Sequence, residues 1–122
     1  MTHILIVDDD DQFRTMLRKV LQRAGYEVTE AANGEQGIDF FSENKADLVI
    51  TDMLMPVMTG SRFISLLRQN FPKLKILAIS GGGKMYHSDS YLDYARELGV
   101  KRILKKPVLR KEILQVVEDI LG

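Results

Sequence analysis

The 122 residues predict an α/β fold, a five-stranded parallel sheet doubly wound by helices on its two faces. Three observations carry that expectation. Short unbroken runs of Val, Ile and Leu recur along the chain, as in strands covered on both sides. Stretches of helical period separate them. Gly, Pro and Asn punctuate the joins.

In order, ILIV (4–7) is the first strand. Phe13, Met16, Leu17, Val20 and Leu21 follow the i, i+3, i+4, i+7, i+8 rule of a helix, which Gly25 stops. The weaker YEVTEA (26–31) is the second strand. Asn33 then caps a helix striped by Ile38 and Phe41. DLVIT (47–51) is the third strand, and Phe63, Leu66 and Leu67 mark a third helix closed by Pro72. KILAI (75–79) is the fourth strand. Tyr91, Ala95 and Leu98 mark a fourth helix ending at Gly99. KRIL (101–104) is the fifth strand, and Leu109, Ile113, Val116, Val117 and Ile120 stripe a final helix. Strict β–α alternation with short links implies right-handed crossovers and one parallel sheet. A single domain over residues 1–122 is expected.

Composition narrows the function. Basic and acidic side chains number 17 each, so no global field draws the chain to nucleic acid or an anionic membrane. No cysteine is present, which excludes disulfides and thiolate chemistry. The apolar runs are too short to span a bilayer. A cytoplasmic, reducing location is expected.

In open parallel sheets the functional crevice lies at the carboxyl ends of the strands. There the first strand delivers Asp8 and Asp9, the third Asp52, the fourth Ser80, and the fifth Lys105 and Lys106 before Pro107. Carboxylates converging on one rim repel unless something positive sits among them. A hard divalent cation such as Mg²⁺ suits an all-oxygen set. Helix capping would use Asp10 or Asp11, but it needs only one of the four consecutive aspartates. Lys105 and Lys106 face opposite ways, so one of the two is a solvated surface lysine, and Lys105 fits that place better.

Taken together, ILIVDDD at the first strand, TDMLMPVMTG (51–60), KILAISG (75–81) and KKP (105–107) resemble the response-regulator receiver domain, the phosphoacceptor module of two-component signalling. The likeness runs along essentially the whole chain. It implies a flavodoxin-like (βα)5 sandwich. It also implies that Asp52 accepts a phosphoryl group, that Asp9 binds Mg²⁺ directly, and that Asp8 binds it through water. The backbone carbonyl of Leu54 would complete the protein's share of the metal shell. Ser80 matches the hydroxyl that moves to the new phosphoryl group, Lys106 the lysine that pairs with it, and Pro107 a proline after a cis peptide. The implied partners are a histidine kinase or phosphotransfer protein and an unidentified downstream protein, which would read a changed surface on the fourth helix, fifth strand and fifth helix.

Two departures from the family stand out. Ile103 occupies the switch position, three residues before Lys106, that is often aromatic in receivers. Ser80 and Lys106 lie 26 positions apart, longer than the family pattern, and the extra length falls in GGGKMYHSDS (81–90). A mobile loop that orders partly on phosphorylation is expected there. Its Gly-Gly-Gly-Lys is no Walker loop, because Met85 replaces the required Ser or Thr. His3 and His87 lack partners at metal-ligand spacing. The competing classes are a small Mg²⁺-dependent aspartyl-nucleophile phosphatase, which would use Asp8 and Asp10 but finds Gln12 at its hydroxyl or valine position, and a receiver-like docking module that is never phosphorylated.

Overall fold

The computed structural model describes residues 1–81, 96–100 and 102–122. Its element order is β1 (His3–Val7), α1 (Asp11–Arg23), β2 (Glu27–Ala31), α2 (Gly34–Glu43), β3 (Leu48–Asp52), α3 (Gly60–Asn70), β4 (Lys75–Ser80), β5 (Arg102–Lys105) and α4 (Arg110–Leu121). The fourth predicted helix and the 82–90 loop lie outside the described residues, apart from a helical Arg96–Glu97 end and the turn at Leu98 and Gly99.

All five strands pair in parallel, in the order β2-β1-β3-β4-β5. This is the flavodoxin-like order, and the chain reverses its direction of travel between β1 and β3. That gap opens where Val7 and Thr51 pair, one residue before Asp8 and Asp52. The crevice is therefore placed by topology before any side chain is considered.

Strand periodicity divides the core in two. Ile4 and Ile6 face the layer of α1 and α4, packing with Leu17, Leu21, Ile113 and Val117. Leu5 and Val7 face α2 and α3, packing with Phe63, Ile64 and Leu67. Each fully buried aliphatic side chain contributes about 1.5–3 kcal/mol of transfer free energy. The sheet thus holds the rim rigidly from both sides.

Capping follows the sequence. Asp10 accepts the Phe13 amide at 3.1 Å and starts α1, and Asn33 accepts the Gln36 amide at 2.9 Å and starts α2. Gly25 takes φ +98° just past α1, a left-handed conformation suited to glycine. One expectation needs correction. Leu109 does not belong to the buried stripe of α4: it is the N-cap residue and is 72% exposed, because the helix begins only at Arg110. In α2 the fully buried positions are Gly34 and Gly37, while Ile38 and Phe41 are half-buried. A Cβ on Gly37 would come within 2.7 Å of the Phe63 ring, so glycine permits α2 to lie close against α3. No helix among the described residues is long and apolar enough to cross a membrane.

Candidate functional site

Four of the five strands, β1, β3, β4 and β5, lead at the carboxyl rim of the sheet into a polar residue: Asp8, Asp52, Ser80 and Lys106. Asp8 follows β1 and is 2% exposed; Asp52 ends β3 and is 6% exposed. Asp9 is exposed beside them. The three residues offer carboxylate oxygens that all lie within 4.8 Å of one another. Lys106, just past β5, brings its Nζ to 3.1 Å from Asp8 Oδ2 and 3.5 Å from Asp52 Oδ2. Lys105, its neighbour, is exposed, as strand alternation requires.

The backbone fixes these positions. The Asp10 amide donates to Asp8 Oδ1 at 2.8 Å, and the Leu54 amide donates to Asp52 Oδ1 at 3.1 Å. The Lys106 amide donates to the Ser80 carbonyl at 2.8 Å, tying the start of the Lys-Pro segment to the end of β4. The Lys106–Pro107 peptide is cis, as the motif implied. Gly60 opens α3 close against the end of β3, its amide donating to the Met53 carbonyl at 3.0 Å. A Cβ there would collide with the Asp52 carbonyl oxygen and sit 2.5 Å from Met53 Cα, so only glycine allows this approach. In the same loop Val57 has φ +75°, a conformation that β-branched residues rarely take.

Burial raises the pKa of Asp8 and of Asp52 above the ordinary aspartate value. For Asp8, the Asp10 amide and Lys106 offset only part of that effect. Asp52 is aided by the Leu54 amide and pushed further up by the charge of Asp8. Burial also works against the Lys106 ammonium, but Asp52 and Asp8 outweigh it and raise its pKa. Two carboxylates with one ammonium between them leave net negative charge in a dry place. An all-oxygen donor set with that charge fits a hard divalent cation.

Other predicted residues occupy quieter places. Ser80 is buried, and its hydroxyl donates to the neighbouring Gly81 carbonyl at 3.3 Å. Ile103 is half-buried against the cluster on the α2 and α3 side. His3 is structural, with Nε2 2.7 Å from Thr29 Oγ1. Two contacts were not foreseen from the sequence. Arg14 grips the turn from behind, donating to the Asp8 carbonyl at 2.6 Å, to Asp11 at 2.7 Å and to Glu30 at 3.0 Å. The Phe13 ring lies under the Lys106 ammonium, 4.2 Å from Nζ to the ring centroid. A helical stripe marks Phe13 as apolar, but no local signal reveals a partner 93 positions away.

The family model described as "Response regulator receiver domain" matches residues 4–118. The chain belongs to the response-regulator receiver family. Such domains are signalling switches. This receiver is 32% identical to Protein CcdB of Bacillus subtilis, covering 100% of this chain and 99% of that protein. It is 31% identical to Chemotaxis protein CheY of Thermotoga maritima, covering 96% and 95%. The share of the relative covered falls to 24% in a longer protein. Among solved structures, response regulator protein TrrA of Thermotoga maritima in complex with Mg(2+)-BeF superposes with a TM-score of 0.83 at 30% identity, covering 99% of this chain and 100% of that one. The four sequence motifs thus identified both the family and the fold.

Proposed function

We propose that this receiver is a phosphoacceptor switch in which Asp52 takes a phosphoryl group from a histidine kinase or phosphotransfer protein. The observation that carries the reading is the buried Asp52 carboxylate set beside Asp8, Asp9 and the Lys106 ammonium. A carboxylate is a weak nucleophile, and positioning and electrostatics do most of the work in phosphoryl transfer. In the reaction an Asp52 oxygen forms the new P–O bond as the donor's P–N bond breaks. The electron pair returns to the imidazole nitrogen, which takes up a proton. Lys106 pairs with the developing charge on the phosphoryl oxygens as a point cation.

Asp9 and Asp52, with Asp8 through water and the Leu54 carbonyl, would hold Mg²⁺, which when bound neutralises the phosphoryl oxygens. The Mg(2+)-BeF complex of TrrA supports the same use of the site in this chain. A phosphoryl group adds about −1.5 to −2 charge at neutral pH. That charge would draw Lys106 and the Ser80 hydroxyl inward, and the surface carrying β5 and α4 would change its affinity for a downstream protein. The chain would act only on its own aspartate and would turn over no external substrate. A phosphatase would need the Asp10 carboxylate at the site, yet here it caps α1.

The test is beryllofluoride binding with Mg²⁺, followed by fluorine NMR. The parent should bind one equivalent, and Asp52→Asn and Asp9→Ala should bind none. Lys106→Ala should keep the fold and weaken the conformational response. Equal binding by the parent and Asp52→Asn would end this reading.

A further inference from the structure

We infer that Phe13 is a positioning residue, the face of its ring holding the Lys106 ammonium at the acceptor site. This rests on the phosphoacceptor reading and adds a residue to it. Phe13 opens the apolar stripe of α1 but is only half-buried, packed at the edge of the α1 and α4 core. The Asp10 cap fixes the first helical turn by accepting the Phe13 amide. Helical side chains lean toward the helix N-terminus, so from the edge of that core the ring also reaches the carboxyl rim. From the other side β5 delivers Lys106, whose side chain is 20% exposed. The ammonium meets three partners at once: Asp8 at 3.1 Å, Asp52 at 3.5 Å and the ring face at 4.2 Å.

Those partners differ in what a divalent cation does to them. Asp8 and Asp52 are carboxylates that the metal would claim, and the metal's own charge would repel Lys106. The ring carries a fixed quadrupole and offers no oxygen to a hard, strongly hydrated ion. Its attraction for an ammonium persists when the carboxylates are engaged, and it is stronger where water is partly excluded. Phe13 therefore keeps Lys106 within reach of Asp52 in the state that accepts phosphorus. An aliphatic residue of similar size would fill the same space without that pull.

The experiment has two readouts on the full chain. In metal-free parent protein, the Lys106 ε-methylene protons should resonate upfield, shifted by the ring current. The shift should survive Phe13→Tyr and vanish in Phe13→Leu. With Mg²⁺ present, beryllofluoride affinity should fall about threefold to tenfold in Phe13→Leu and stay within about twofold in Phe13→Tyr. An unshifted Lys106 in the parent would overturn the contact, and equal losses in the two variants would reduce Phe13 to a packing residue. A parent that binds no beryllofluoride would sink the phosphoacceptor reading. A parent that binds it, with Phe13→Leu unaffected, would sink the positioning role alone.

Discussion

The two ends of the sheet are built from the same strands, yet they treat polar groups in opposite ways. At the amino end, the polar groups of the described residues pair off across the fold. The His3 amide donates to Asp47 Oδ2 at 2.8 Å, and the Asp47 amide returns a bond to the His3 carbonyl at 2.8 Å. The His3 ring meets Phe40 edge-on at 5.5 Å, and Phe40, Phe41 and Phe71 continue the aromatic row. Arg68 spends its donors on the carbonyls of Phe71, Pro72, Leu74, Leu98 and Gly99. At the carboxyl end two buried aspartates face each other, and one lysine serves both. Among the described residues, buried like charges face each other at one end only, and that is the end at which the function is proposed.

Substitutions can break or sharpen this contrast. The largest effect is expected for Gly60→Ala, where a Cβ would press on backbone that cannot move aside. Overpacking of that kind should cost about 3 kcal/mol in a denaturant titration. The displaced Asp52 should also lower Mg²⁺ affinity about tenfold. Next comes Arg68→Met at the amino end. Stripping donors from several carbonyls should cost about 2 kcal/mol, with Mg²⁺ affinity unchanged. If Arg68→Met weakened Mg²⁺ binding as Gly60→Ala does, the two ends would not be separable.

Asp52→Asn should go the other way and stabilise the metal-free protein at neutral pH by about 1 kcal/mol. The sign follows from the raised pKa of Asp8 and Asp52, whose protonated forms the folded protein favours. Their contribution is complete below the unfolded aspartate value of 3.8 and is lost as pH rises through the raised folded values. Lys106, also raised, keeps its contribution until alkaline pH and does not change the trend. The advantage of Asp52→Asn should thus grow from acid toward neutral pH, measured as a difference in Tm. A constant gap across that range would contradict it. The smallest effect is expected for Asp47→Ala, about 0.5–1 kcal/mol, from the lost bond to the His3 amide.

Much of this was legible in the residues. Four aliphatic residues ahead of four aspartates placed a buried strand and an acidic rim together, because strand burial and like-charge repulsion are both local properties. The α/β alternation fixed the parallel sheet for the same reason. Where the local signal is weaker, structure departs from pattern. Leu109 continued the heptad-like spacing of α4 but fell outside the helix, since periodicity does not register where hydrogen bonding begins. The close packing of α2 on α3 through Gly37 is invisible in a hydrophobic stripe that counts large side chains.

The sequence by itself determined the types and order of the described elements, and which residues their strands deliver to the carboxyl end, since those depend on neighbours a few positions apart. Tertiary structure alone decided the distances. Asp8 with Phe13, Asp52 and Lys106 come from three distant stretches of chain, and only the assembled sheet brings one ammonium within reach of two carboxylates and a ring. Burial at that junction then shifted the aspartates in a direction that composition could not foretell, because desolvation is a property of the folded surroundings and not of the residue.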